Sequence, residues 1–490
     1  MTRILVFATT YFPLVGGAEV ALKEVTDRMP SIQFDLICAK IKPGLPATEQ
    51  IGNITVHRVG VGKSIDKFLL PVFGVKKALT LGTFPVIWSL MASFGGFAAL
   101  AYTWVRPTTR LLLTLQEGDP LEHYDRRAGL LSGLHRLIFR RANAVQAISH
   151  FLAKWATDMG FQGEPVVVPN GVDLRTFLVS NNDASRETLR TRFGFNRNDV
   201  VLVTASRLSH KNAVDDLITA LTHLPENHKA LLLGVGEDEE KLRTLAEKKG
   251  VGSRVIFAGS VSHAELPAHL QCADIFIRAS RSEGLGNAFL EAMACGLPII
   301  GTRVGGIPDF LTDGETGVFC DVDQPASIAK AVQRICDDAT LRARLIENGR
   351  ALVKEHYGWD GIAVRVQHLL ERVEAAPIVQ HSSPFFQRVV LLIAVSTVAL
   401  AAVVGVRAWG LYPLYTDAVV RNDVKSIMTQ LRDETGFGLS KLLIQSIRCK
   451  GGECAMKLTI RTRLAPPNPT TETTTVRWQK GQSTTYDRTR

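Results

Sequence analysis

Two glutamates, Glu283 and Glu291, bracket the glycine-broken segment Gly284-Leu285-Gly286-Asn287, which runs into a short apolar stretch and then, past Gly296, into Leu297-Pro298-Ile299-Ile300. This pattern predicts a helix from about Asn287 to Ala294 and a buried strand over residues 298–301. A helix N-terminus carries free N–H groups and a partial positive charge, so it holds an anion, and glycine lets backbone approach one closely. Carboxylates beside an anion site are acceptors for hydroxyls, as on a sugar or a ribose. Earlier in the chain, Arg207 and Lys211 straddle the turn that follows the apolar run 200–205. Two cations there could neutralise a diphosphate, the arginine as a bidentate fork and the lysine as a point charge. Near the start, the apolar run 3–8 leads to Gly16-Gly17-Ala18-Glu19, where paired glycines can face N–H groups toward a phosphate. Each feature has a plainer reading: a tight turn, solvated surface cations, a fortuitous acidic pair on a helix. Their convergence on one chemistry favours the binding of a sugar linked to a diphosphate.

These residues need a frame that sets them at strand ends. Apolar runs at 34–38, 55–59, 111–115, 144–149, 200–205, 231–233, 255–259 and 273–277 alternate with helical spacing. Such alternation predicts doubly wound parallel sheets, whose sites lie at the carboxyl ends of the strands. The run 111–115 opens into the polar loop Gln116-Glu117-Gly118-Asp119, with His123 beyond it. No charge occurs between Lys77 and Arg106, a pattern that hydropathy alone reads as a membrane span. Pro85, Ser89, Ser93 and Gly95-Gly96 interrupt it, and the strands on either side must share one sheet. The expectation is therefore a buried strand near 86–90 followed by an apolar helix. The polar tract up to Asn198 reads as a connection, and residues 341–370 as helical with a break at Tyr357-Gly358-Trp359.

The run Glu-Gly-Leu-Gly-Asn-Ala-Phe-Leu-Glu-Ala-Met-Ala-Cys-Gly-Leu-Pro, from Glu283 to Pro298, resembles the paired-glutamate signature of the family-4 retaining glycosyltransferases of the GT-B fold. The likeness covers about residues 1–375. It implies two facing doubly wound Rossmann-like domains: residues 1–172 on the acceptor side, 173–355 for the nucleotide-sugar, and 356–378 as a return helix. It also implies catalytic roles for Glu283, Arg207 and Lys211. Donor contacts would come from Gly16, Gly17, Val261, Gly284, Leu285, Gly286, Asn287 and Glu291, with Glu291 on the ribose hydroxyls. Gln116 and Glu117 would lie on the acceptor or sugar side, where relatives commonly carry a histidine. Asn212 stands where relatives usually have glycine, and asparagine also tolerates a left-handed turn. No metal or other cofactor is called for, because the cations and the helix start can oppose the leaving-group charge. The implied activity is hexosyl transfer, with retention, from a UDP- or GDP-sugar to a glycan or lipid-linked acceptor. A GT-B sugar-nucleotide epimerase and a catalytically silent binding module are the alternatives, and turnover separates the three.

A chain of 490 residues has material for more than one core. Its formal charge of +10 suits phosphate-bearing ligands or an acidic membrane surface. No basic run with interleaved aromatics occurs, so nucleic acid is not an expected partner. Cys38, Cys272, Cys295, Cys320 and Cys336 read as reduced, core-filling thiols. Residues 389–406 form an uncharged run between Arg388 and Arg407, flanked by Phe385, Phe386, Trp409, Tyr412 and Tyr415. As a helix it is ~27 Å long, which predicts a transmembrane helix over 385–408, with a buried core helix as the alternative. Residues 409–490 read as a small α+β domain with a helix at 417–432, strands at 441–449 and 454–464 around a four-residue turn, and a disordered Thr-rich end from Pro466. A hairpin there would oppose Cys449 and Cys454 and permit a disulfide. That bridge suits an extracytoplasmic tail on a cell-membrane protein whose catalytic domains are cytoplasmic.

Overall fold

Six of the apolar runs, with two short strands added, assemble into the first sheet of the computed structural model, which describes residues 3–121, 124, 129, 132–178, 183–377, 422, 424, 426, 441–450, 453–462, 470–479 and 486–489. These strands are β1 (Arg3–Phe7), β2 (Gln33–Ala39), β3 (Thr48–Ile51), β4 (Ile54–Val59), β5 (Val86–Leu90), β6 (Arg110–Leu115), β7 (Ala144–Ala147) and β8 (Val166–Val167). Their order is β3-β4-β2-β1-β5-β6-β7-β8, and all neighbours are parallel except the β3–β4 pair. A second sheet is parallel throughout: β9 (Val200–Ala205), β10 (His228–Leu233), β11 (Val255–Gly259), β12 (Ile275–Arg278), β13 (Ile299–Thr302) and β14 (Val318–Cys320), in the order β11-β10-β9-β12-β13-β14. Crossover helices cover both sheets, so the central strands are buried on two faces and read as continuous apolar runs. The two Rossmann-like domains expected from the alternation are present.

The uncharged stretch between Lys77 and Arg106 is a central strand and its crossover. β5 is buried at all five positions, and the helices Asp66–Leu81 and Phe94–Val105 precede and follow it in the chain. Among the described residues, no helix is long and apolar enough to cross a membrane. The expected span at 385–408, His123 and most of the expected helix at 417–432 lie outside those residues.

After the second domain the chain turns at Gly358 and returns as the helix Trp359–Ala375. Its Trp359, Ile362, Val366 and Leu370 are buried in the core of the first domain with Ile4, Val6 and Trp88. The tract expected as a plain connection up to Asn198 is different. It contains the helix Asp183–Arg192, which docks on the second domain: Arg186 pairs with Asp274 at 2.7 Å, and Arg190 donates to the Cys272 carbonyl at 3.1 Å. Its polar composition hid this, because here guanidinium groups rather than aliphatic side chains are what the domain takes in.

The second compact unit, residues 388–490, holds an antiparallel sheet of β15 (Lys441–Lys450), β16 (Glu453–Thr462), β17 (Thr470–Gln479) and β18 (Tyr486–Thr489), paired in that order. Cys449 lies opposite Cys454 and is disulfide-bonded to it, as expected. Lys450 and Glu453, expected in the turn, pair with each other, so the ladder extends one residue further on each strand than expected. The Thr-rich end is not disordered as a whole, since it supplies β17 and β18. Threonine is β-branched and suits a pleated strand, a local preference that the polar composition obscured. Of the five remaining cysteines, four are buried but Cys336 is exposed rather than core-filling.

Candidate active site

The helix Asn287–Ala294 begins where expected. Its cap, Gly286, has φ 100°, and a Cβ there would stand 2.7 Å from Phe289 Cδ2, so the turn requires glycine. Phe289, Leu290 and Met293 anchor the helix in the core. That anchoring fixes the N-terminal N–H groups at the carboxyl end of the second sheet, facing the first domain.

Just before it, the Glu283 side chain is buried and lies 2.7 Å from the Arg278 guanidinium at the end of β12. The same guanidinium donates to Asn212 Oδ1 at 2.9 Å, and Asn212 Nδ2 donates to the Arg207 carbonyl at 2.6 Å. One buried arginine thus ties the sugar-side glutamate to the turn that carries both expected cations. Asn212 was expected to take the left-handed turn, but Ala213 does, at φ 50° and ψ 41°, and the Asn212 amide instead brackets the loop. Arg278 could have been suspected as a charge closing a buried strand five residues before Glu283. The Arg278–Asn212–Arg207 link could not, because it joins residues far apart in sequence.

Lys211 reaches across to the first domain, with Nζ 3.0 Å from both the Gly118 carbonyl and Asp119 Oδ1. Ser282 Oγ donates to the same carbonyl at 3.3 Å. A Cβ on Gly284 would stand 2.4 Å from the Glu117 carbonyl oxygen, so the two loops touch backbone to backbone where only glycine fits. Arg207 is at the rim, its side chain 71% exposed and paired with Glu237 at 3.0 Å. A cavity of about 310 Å³ joins it to Ser206, Gly234, Val261, Ala288 and Glu291. Arg207, Val261 and Glu291 are therefore brought together around one cavity. Ser206, its hydroxyl buried and without a hydrogen bond among the described residues, is a lining group that sequence reasoning missed. Also missed is His263, beside the cavity, whose Nε2 lies 3.3 Å from Glu291 Oε1 and whose ring meets Phe177 at a tilt with centroids 5.1 Å apart. The hydrogen bond to Glu291 raises the His263 pKa above its ordinary value.

On the opposite wall, Gly16 N–H donates to Glu19 Oε2 at 2.8 Å and fixes the start of the helix Gly17–Asp27. A Cβ on Gly17 would come 3.9 Å from Asn287 Nδ2, so this loop faces the helix start across the cleft. Gln116 and Asn170 exchange amide hydrogen bonds at 2.8 Å, and Asn170 donates to Asn287 Oδ1 at 3.3 Å. Two expectations change here. Glu117 turns inward, fully buried, and accepts the N–H groups of Ala92 and Gln116 at 2.8 Å each, so its carboxyl props the loop instead of facing a sugar. Burial pushes its pKa up to about 7, against the pull of those N–H donors. Leu285 is 1% exposed, and its side chain packs into the core. No group of three or more His, Cys, Asp or Glu side chains placed to hold a metal occurs among the described residues.

Comparison with known proteins fits this geometry. The family described as Glycosyltransferase Family 4 matches residues 15–176, and Glycosyl transferases group 1 matches residues 185–352. The chain is 32% identical over 394 residues to the GDP-mannose-dependent alpha-(1-6)-phosphatidylinositol monomannoside mannosyltransferase of Mycobacterium tuberculosis, covering 77% of this chain and 100% of that protein. It is 33% identical over 203 residues to the D-inositol 3-phosphate glycosyltransferase of Xylanimonas cellulosilytica, covering 40% of this chain and 48% of that one. Among solved structures, Anabaena HepE in complex with UDP and glucose superposes with a TM-score of 0.65 at 19% identity, over 76% of this chain and all of that one. Sucrose-phosphate synthase from Thermosynechococcus elongatus gives 0.67 at 20%, with the same coverage. At these identities the two structures establish the shared two-domain fold.

Proposed function

The chain belongs to the glycosyltransferases of family 4 and group 1 and is a glycosyltransferase, and we propose on that premise that it moves a hexose from a GDP- or UDP-sugar to a lipid-linked glycan acceptor, with retention at the anomeric carbon. The observation that carries this reading is the convergence of Lys211, Glu283 and the helix start at Gly286 and Asn287 on one side of the cleft. In this reading the base and ribose occupy the cavity beside Val261, with Glu291 accepting from the ribose hydroxyls. The diphosphate lies toward Arg207, Lys211 and the helix N-terminus. Breaking the bond from the anomeric carbon to the phosphate leaves negative charge on the departing diphosphate and an oxocarbenium-like sugar. Fixed cations and oriented N–H groups stabilise that charge as it develops, the type of term that contributes most in such sites. Glu283, held next to Arg278, orients the sugar hydroxyls. The cations do the work a divalent metal would do, so no cofactor is required.

The lipid-linked acceptor is supported by the uncharged run at 389–406 and by the acceptor named for the mycobacterial relative. With that run crossing the cell membrane once, the catalytic domains are cytoplasmic, where nucleotide-sugars are made, and the disulfide-bonded sheet is extracytoplasmic. The test is turnover with a panel of sugar nucleotides in membranes. Lys211→Ala and Arg207→Ala should each cut transfer at least about a hundredfold with the fold intact. Glu291→Ala should weaken nucleoside diphosphate binding. Near-normal transfer by either cation variant, or unchanged affinity in Glu291→Ala, overturns the assignment. Release of an epimerised nucleotide-sugar without transfer would establish the epimerase instead.

A further inference from the structure

Both cations assigned to the diphosphate already hold a carboxylate. Arg207 is paired with Glu237, but the two side chains are 71% and 54% exposed, so water screens that contact. The Lys211 pair is different. Its Nζ lies 3.0 Å from Asp119 Oδ1, the side chains are 31% and 43% exposed, and the carboxylate comes from the other domain. Arg281, two residues before Glu283, is fully committed to Asp215, Asp216 and Asp323. Lys211 is therefore the inner cation whose partner a ligand can take.

The backbone on both sides of this pair is tied down. The Lys211 carbonyl accepts the Arg281 N–H at 2.7 Å, and the Asn212 amide brackets the same turn. Opposite, Pro120 restricts Asp119 to extended backbone, and the Gly118 carbonyl accepts from both Lys211 Nζ and Ser282 Oγ. A Cβ on Gly118 would lie 3.4 Å from Lys211 Nζ and 3.9 Å from Glu283 Oε1. The Asp119 loop thus enters where the leaving-group cation and the sugar-side glutamate meet. The other carboxylates of these loops, Glu19 and Glu117, are turned to backbone N–H groups. An anionic oxygen 3.0 Å from the ammonium stands where a phosphate oxygen held by Lys211 would stand. Lysine has a further N–H to offer, but a diphosphate taking it would lie against the carboxylate, like charge beside like charge.

We propose that Asp119 is the exchange partner of the leaving group: it occupies the phosphate position on Lys211 in the empty cleft, yields it to the donor, and retakes the ammonium after transfer, hastening departure of the nucleoside diphosphate. The inference rests on the placement of the diphosphate at Lys211 proposed above. Its purpose follows from the chemistry of that placement. Groups that stabilise charge on a departing diphosphate also hold the finished diphosphate, and product release limits many enzymes. A carboxylate competing for the same ammonium offsets that hold.

The test titrates GDP and UDP, and separately guanosine and uridine, into the full chain in detergent for the wild type, Asp119→Asn, Lys211→Ala and the double variant. Asp119→Asn should bind the nucleoside diphosphate roughly tenfold more tightly, the ordinary size of a coupling between competing contacts, and leave nucleoside affinity unchanged. In transfer assays it should show a burst, a normal first turnover followed by slow ones, with kcat and the donor KM falling together. Asp119→Glu, which keeps the charge, should restore wild-type affinity and abolish the burst. With Lys211→Ala already present, Asp119→Asn should no longer tighten binding. Unchanged or weaker diphosphate affinity in Asp119→Asn, while Lys211→Ala weakens it, overturns the proposal and leaves the proposed function standing; it would make the pair a clasp between domains. Equal tightening in the Lys211→Ala background also overturns it, by assigning the effect to general repulsion. Unchanged diphosphate affinity in Lys211→Ala removes the placement itself, and the exchange with it.

Discussion

Arg278 is the residue on which the site's internal charge depends. Its guanidinium is the cation against the buried Glu283 carboxylate, and it also holds the Asn212 bracket. Arg278→Met removes both and leaves a buried carboxylate without its counter-ion, a change that costs about 3–5 kcal/mol in comparable pairs. Denaturant unfolding should show that loss. Arg278→Lys, which keeps the charge but not the fork, should recover much of the stability and little of the turnover. At the nucleotide end, the Glu291 hydrogen bond raises the His263 pKa above 6.5. The sign follows directly: the folded state holds the proton more tightly, so the pair's contribution is complete below pH 6.5 and lost as pH rises through the folded value. In Glu291→Gln the His263 resonances should titrate at lower pH than in the wild type. An unchanged midpoint would show that the two side chains are not coupled in solution.

The loop that enters the Asn287–Ala294 helix works through the absence of a side chain. A Cβ on Gly284 would lie 2.4 Å from the Glu117 carbonyl in the other domain. Gly284→Ala should therefore hold the loops apart without unfolding either domain. A turnover loss of at least about tenfold is expected from displacing reacting groups by an ångström, with little change in melting temperature. A collapse in melting temperature with normal specific activity would assign the glycine to folding alone. At this scale the sequence was read most easily where one local pattern decides the outcome. The glycine stop before Asn287, the buried run at 86–90 and the Cys449–Cys454 hairpin each follow from spacing within a few residues. It was misread where composition masks a long-range partner. Glu117 looked like a polar loop carboxylate because nothing nearby announces that the Ala92 N–H, 25 positions away, donates to it in the interior. The helix Asp183–Arg192 looked like a linker because its anchors are arginines that pair with Asp274.

Across the two catalytic domains, the named contacts over the cleft are polar: Lys211 to Gly118 and Asp119, Ser282 to Gly118, Asn170 to Asn287, and His150 to Asp309 at 2.8 Å through its backbone N–H. The apolar cores lie inside the domains, and the return helix Trp359–Ala375 joins the first one. The two-domain plan was legible from strand and helix alternation, whereas these clasps were not, because each pairs single residues that no periodicity links. Their chemistry gives the cleft an unusual thermal character. Exposing apolar surface changes heat capacity strongly, and parting hydrogen-bonded groups contributes little and with the opposite sign. Opening and closing should therefore leave the heat capacity nearly unchanged. Calorimetric titrations of a nucleoside diphosphate at several temperatures should give enthalpies that vary only as much as burial of the base requires. The same titrations at rising salt should shift markedly, because the Lys211–Asp119 pair is screened. Such a cleft closes with one enthalpy at every temperature and loosens its clasp as the ionic strength rises.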